Sequence, residues 1–320
     1  MRWGILSTGT IAKNFAQTAG QMPDVQMQAV ASRSRESAEA FAKAYDIPTA
    51  HDSYEALAND PNVEIVYVAT PHSRHAEDMK LLIQAGKHVL CEKSFTIDAK
   101  QAKEIFALAQ EKHVFVMEAF WTKFIPLYRQ IEEILKSGKL GEIRAVTAQY
   151  GYTTARETRK FDPALAGGTL LDIGVYALSF IRWFMDSKPD QLLSQMKAAP
   201  TGVDEQAGLL LTNKEGQMAT VMLSLHSKQP KRGMVSCEKG YIEVMEYPRA
   251  WEAKIVDAES GEVQVIKAGA HEDALAYELS DMEKAIAGDV SCMHLDYTKD
   301  VMDLMTEFRK SWHFTYPEEE

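Results

Sequence analysis

Three cysteines in 320 residues, Cys91, Cys237 and Cys292, are too few and too far apart for a disulfide framework, and none stands in a CxxC pair. No metal site is expected, and a reducing, cytoplasmic setting fits. A basic excess is also missing: 35 lysines and arginines against 46 aspartates and glutamates leave a net charge of −11, spread without an acidic tail. No nucleic-acid partner is expected from that balance. The opening MRWGILSTG meets serine, threonine and glycine too soon for a signal peptide or membrane span, so no membrane association is expected. Internal repeats and low-complexity linkers are absent from the sequence as well. What is present is a 46% apolar content, enough for two ordinary domains with their own cores.

The first third alternates β-type runs with helical patterns. Arg2 to Ser7 precedes a helix over Ile11 to Gly20, Gln26 to Ser32 one over Glu36 to Tyr45, and Ile65 to Thr70 one over His75 to Ala85. Lys87 to Cys91, a helix over Ala99 to Lys112, and Val114 to Glu118 complete the series. Such alternation predicts right-handed βαβ units on a doubly wound parallel sheet with both faces covered. After Phe120 the texture changes. Leu127 to Lys136 and Thr169 to Asp186 read as helices; Ile143 to Tyr150, Ala207 to Thr212, Met218 to His226, Met234 to Cys237, Tyr241 to Met245 and Ala253 to Val256 read as strands. Two helices follow, Glu272 to Ala287 and Tyr297 to Ser311. Consecutive strands without helices between them predict an antiparallel sheet. The expectation is an α/β Rossmann domain over 1–120 and an α+β domain, built on a large open sheet, over 121–320.

The turn after the first strand, Ser7-Thr8-Gly9-Thr10-Ile11-Ala12, matches the dinucleotide fingerprint with serine at the first glycine position and alanine at the last. Gly9 would let the backbone approach a pyrophosphate, and the helix behind it offers free N–H groups to the anion. Ser7 departs from the pattern, because serine enters a tight turn less freely than glycine. At the end of the second strand, where an NAD site places an acid, stand Ser32 and Arg33. A hydroxyl and a guanidinium suit the 2′-phosphate of NADP, although Arg33 and Arg35 also read as solvated charges opening a helix.

Ligands in open α/β sheets lie beyond the carboxyl ends of the strands. There the sequence places Thr70-Pro71-His72-Ser73-Arg74-His75, Cys91-Glu92-Lys93-Ser94 and Glu118-Ala119-Phe120-Trp121. Further on, Gly167-Gly168 precedes a helix in which Asp172 and Tyr176, four apart, share one face. Their apolar context predicts burial, and a buried carboxylate needs a partner. The bland readings are a turn role for the histidines, packing for Trp121, and a structural cap for Asp172.

In this order STGTIA, ASR, ATPHSRH, EKS, EAFWTKFIP and AGGTLLDIGVY resemble the Gfo/Idh/MocA oxidoreductase family over essentially the whole chain. The resemblance implies cofactor contacts at Ser7, Thr8, Gly9, Thr10, Ile11, Ser32, Arg33, Thr70, Pro71, His72, His75, Glu92 and Lys93. It maps the family's EKP lysine onto Lys93 and its catalytic tyrosine or histidine onto Tyr176, with Asp172 as the nearby acid. Ser94 stands where the family has proline. Trp121, Arg156, Asp172 and Tyr176 are then candidates for a small polyhydroxylated substrate, a sugar, polyol or trans-dihydrodiol. Arg159 also lies in the segment before Gly167. A homodimer through the second domain's sheet is implied too. Two alternatives stay open: a non-catalytic NADP(H)-binding regulator, and a sugar-modifying enzyme that uses a held nicotinamide transiently.

Overall fold

Strands that are apolar throughout belong in the middle of a sheet covered on both faces. The computed structural model, which describes residues 1–319, places them there. Its first sheet has six parallel strands: β1 (Arg2–Leu6), β2 (Gln26–Ala31), β3 (Thr49–His51), β4 (Ile65–Val68), β5 (His88–Glu92) and β6 (Val116–Ala119). Their spatial order is β3-β2-β1-β4-β5-β6. This is the doubly wound order that reverses between the first and fourth strands, and the reversal opens the crevice where dinucleotides bind. Ile5, Leu6, Val66, Tyr67, Val68, Val89 and Leu90 are all fully buried. The intervening helices are α1 (Thr10–Ala19), α2 (Arg35–Ala44), α3 (Tyr54–Ala58), α4 (His75–Gln84) and α5 (Ala99–Glu111). The short edge strand β3 and the five-residue α3 were not expected, being too brief to show a period.

The second sheet has eight strands: β7 (Ile143–Gly151), β8 (Gln191–Ala198), β9 (Asp204–Thr212), β10 (Met218–Ser224), β11 (Gln229–Cys237), β12 (Gly240–Met245), β13 (Glu252–Asp257) and β14 (Val263–Lys267). They run in the order β14-β13-β12-β11-β7-β10-β9-β8, and only the β7–β10 pair is parallel. With α6 (Pro126–Lys136), α7 (Val175–Phe184) and the last helix, α9 (Leu295–Ser311), this gives the expected α+β character; α8 (Ala274–Ile286) precedes α9 in the chain. The edge strands β8 and β14 were not foreseen, because partial exposure on both faces removes the apolar alternation.

The chain forms two compact units: Met1–Phe120 with Leu275–Leu295, and Trp121–Ala274 with the chain from Asp296 onward. The segment 275–295, left above with the second domain, therefore clusters with the first. Its physical reason is local: Leu279 and Met282 are fully buried, and Trp3 Nε1 donates to Glu283 Oε1 at 2.9 Å. The stretch Pro163–Phe184 is long and apolar enough by composition to cross a membrane, but 89% of its apolar window is buried, as in the core of a globular unit.

Candidate active site

In the first unit the site begins where β1 ends. Ser7 takes φ +102°, a region that favours glycine, and its N–H donates to Ala31 O at 2.9 Å. Gly9 precedes α1 in an extended conformation; no side chain caps the helix and no acid stands in its first turn. A β-carbon added at Gly9 would meet only Ser7 Oγ, at 3.8 Å, so packing within the protein does not demand glycine there. Open space over uncapped N–H groups at the sheet's reversal point fits a dinucleotide pyrophosphate.

At the end of β2, Ser32 Oγ accepts from Ser34 N at 3.3 Å, which leaves the hydroxyl proton to donate elsewhere. Arg35 is committed to Glu39 at 2.8 Å and Asp52 at 3.6 Å. Arg33 is exposed and enters no ion pair among the described residues.

Beyond β4, Thr70 Oγ1 donates to Asp78 at 2.7 Å, and Arg74 bonds the same carboxylate at 3.0 Å. His75 is fully buried, its ring nitrogens 2.8 Å from Ser94 O and 2.9 Å from Thr70 O. Burial lowers its pKa most, with the Lys93 charge acting in the same direction. His75 thus ties the turns after β4 and β5 together. His72 packs edge-on to it, ring centroids 5.7 Å apart. At the end of β5 the Lys93–Ser94 peptide is cis, and Ser94 is fully buried. Glu92 accepts from the Tyr67 hydroxyl, whose ring stacks on Phe15 at 3.8 Å.

In the second unit the predicted helix starts with a π-helical turn, Leu170–Gly174, which runs directly into α7. Asp172 and Tyr176 are 6% and 5% exposed. Tyr152 OH donates to Asp172 Oδ2 at 2.5 Å, Lys160 Nζ donates to the same hydroxyl, and Nζ lies 3.7 Å from Asp172 Oδ2. Tyr176 stacks with Trp121 at 6.0 Å and tilts against Tyr150 at 5.9 Å, while Tyr150 and Tyr152 are 6.0 Å apart. The Arg249 guanidinium lies over the Trp121 ring, 3.6 Å from its centre. Trp121, Asp172 and Tyr176 are therefore brought into one cluster, in which Asp172 and Tyr176 are buried and Trp121 is half-buried. Arg156 is drawn to another acid, bonding Glu205 at 2.9 Å and His226 at 2.8 Å.

The N-terminus of the helix is built on a buried acid. Asp204 Oδ2 accepts from Leu170 N at 2.7 Å, and Asp204 O from Thr169 Oγ1 at 2.9 Å. Gly168 sits at φ +121° against the same carboxyl, where a β-carbon would collide with Oδ1. Burial pushes the Asp204 carboxyl up to about 7. Tyr150, Tyr152, Lys160, Arg249 and Asp204 were not expected from the sequence. Of these only Tyr150 lay within an element read from the sequence, at the end of the strand Ile143 to Tyr150.

A parallel sheet in the order 3-2-1-4-5-6 with an uncapped first helix, and in the same chain a helix bearing a buried acid and tyrosine beside an open sheet, define a dinucleotide-binding oxidoreductase. Residues 1–120 match the oxidoreductase family with an NAD-binding Rossmann fold, and residues 128–243 match the GFO/IDH/MocA C-terminal domain. The trans-1,2-dihydrobenzene-1,2-diol dehydrogenase of Sus scrofa is 32% identical over 331 residues, which covers 100% of this chain and 99% of that protein. The Mus musculus enzyme of the same name is 38% identical over 247 residues, 76% of this chain and 74% of its own. A crystal structure of a 3-ketoreductase from Actinomadura kijaniata with NADP and TDP-benzene superposes with a TM-score of 0.86 at 25% identity, covering 97% of each chain. The chain belongs to the Gfo/Idh/MocA oxidoreductase family.

Proposed function

We propose that this protein is an NADP-dependent dehydrogenase or reductase acting on CH–OH groups of a sugar, polyol or trans-dihydrodiol, with Tyr176 as general acid and base and Lys93 as its cationic partner. The observation that carries the reading is the second unit's buried cluster. A phenol, Tyr176, is walled by Trp121 and Tyr150, while Asp172 is held in the same group through Tyr152. A bound nicotinamide supplies the hydride acceptor for oxidation, or the donor for reduction. This chain's part is the proton: Tyr176 takes it from the alcohol oxygen in oxidation and returns it to the carbonyl oxygen in reduction. A free phenol, with a pKa near about 10, is a poor base at neutral pH, and a lysine ammonium lowers that value by favouring the phenolate. The same cation stabilises a developing alkoxide. The NADP preference rests on the exposed Arg33 beside Ser32, with no acid at that position.

On this reading the first unit holds the cofactor, and the second holds the substrate and pairs with another copy through its sheet. Three free cysteines accord with a cytoplasmic setting. The relatives named as dihydrobenzenediol dehydrogenases support the diol and polyol class. The test is reduction of NADP+ and NAD+ against aldoses, inositols and trans-diols, followed by near-ultraviolet absorbance, with Tyr176→Phe alongside. Expected is turnover with NADP+ that falls on the order of 100-fold or more in the variant, the scale of a lost acid–base group. Cofactor binding without turnover on any substrate would favour the regulator instead.

A further inference from the structure

We propose that Tyr152 and Lys160 are positioning residues of this site: together they hold the Asp172 carboxylate in place and keep it ionised. The inference rests on the reading of Asp172 and Tyr176 given above. The three side chains come from separate segments, Tyr152 just past β7, Lys160 in the 3-10 turn Arg159–Phe161, and Asp172 in the π-helical turn.

The direction of the hydrogen bonds follows from counting protons. A phenol has one proton and spare lone pairs, and an ammonium only donates. Tyr152 gives its proton to Asp172 Oδ2 at 2.5 Å and accepts from Lys160, so the order Lys160 to Tyr152 to Asp172 has each donor pointing toward the carboxylate. The Lys160 ammonium is also 3.7 Å from Asp172 Oδ2, near enough for its charge to act directly. Donors and an opposite charge both favour the ionised acid. Burial, and next the Asp172 charge, push the Tyr152 phenol well above its ordinary value, so it stays a donor at working pH.

The other groups facing this acid are consistent with that arrangement. Tyr150, on β7, is a neutral phenol pushed up to about 12 by burial and then by Asp172. Arg159 acts on Tyr152 in the opposite sense, as a cation that eases its ionisation. Tyr176 lies one turn along the same helix. A half-buried lysine bonded only to a phenol could be surface decoration. One that reaches a phenol already committed to a buried acid beside the proposed proton donor controls that acid's charge.

The test uses the full chain labelled with 13C-carboxyl aspartate, the Asp172 resonance being identified by its absence in Asp172→Asn. Expected is a titration midpoint raised by about one pH unit or more in Lys160→Met and in Tyr152→Phe, and near wild type in Lys160→Arg. An unmoved midpoint in both variants overturns the proposal. In turnover with NADP+, the acid limb of kcat/KM against pH should move up by the same amount while KM for NADP+ stays put. Lost activity with an unmoved limb would mean a merely structural role and would also overturn it. Failure of the dehydrogenase reading shows differently, as wild-type protein without turnover, and the carboxyl titration still decides the present proposal.

Discussion

On the proposed reading, single residues at the end of β2 set the preference between NADP and NAD. Ser32 Oγ already accepts from Ser34 N, so its proton is the part left to donate, and Arg35 is committed to Glu39 and Asp52. Arg33 is then the exposed cation available to a 2′-phosphate. Hydrogen bonds to charged groups contribute roughly 1.5–3 kcal/mol, and each 1.4 kcal/mol is about tenfold. Arg33→Gln should therefore raise KM for NADP+ by about 10-fold or more and leave KM for NAD+ unchanged. Equal changes with both cofactors would assign Arg33 to the fold and not to the phosphate. Ser7 and Ser94 show how far a family pattern bends: a serine occupies a glycine-favouring φ of +102°, and a serine follows Lys93 across a cis bond. Both serines are visible in the sequence, whereas their backbone conformations are not.

At the scale of the element, the helix that carries Asp172 and Tyr176 starts from Asp204, and this makes its stability depend on pH. The folded carboxyl titrates at about 7, above an ordinary aspartate at about 4. Between those values the folded chain keeps a proton that the unfolded chain has lost. Stability should therefore fall as pH rises through that window, by up to about 1.4 kcal/mol per unit, and level off above neutrality. Urea unfolding at several pH values checks the slope, and Asp204→Asn should flatten it; an unchanged slope would place the dependence elsewhere. Tyr316, whose hydroxyl donates to Gly167 O at 2.6 Å, closes the same turn from the C-terminal side.

These contacts also mark the limit of what was legible. The alternation of buried strands and amphipathic helices in the first unit could be read because parallel strands covered on both faces are apolar throughout. The spacing of Asp172 and Tyr176 could be read because four residues make about one helical turn. Asp204 and Lys160 could not, since each reaches its partner across a chain reversal that leaves no period in the sequence. Glu205, which claims Arg156, was hidden for the same reason.

For the whole molecule the open sheet raises the question of association. Leu193, Leu210, Thr220, Thr147 and Met234 are paired in turn across β8, β9, β10, β7 and β11, so they share one face. Met218 and Met222, two residues either side of Thr220, lie on it as well. Leu193, Met218 and Met222 remain 68%, 48% and 45% exposed, whereas Leu209, Leu211, Val221 and Val146 on the other face are buried. Apolar side chains on four of five adjacent strands are more than scattered surface residues, and a stable pairing buries about 1,000 Å² of total surface or more. We expect sedimentation to show a homodimer, and the double substitution Leu193→Asp with Met222→Asp to give monomers by burying unpaired carboxylates in the face. Each copy carries a net charge of −11, so two copies repel over a Debye length that shrinks from about 30 Å at 0.01 M salt to about 8 Å at 0.15 M. Association should therefore tighten as salt is added. An interface held by ion pairs would weaken instead, and a wild-type monomer under all conditions would leave the exposed face without a second copy to cover it.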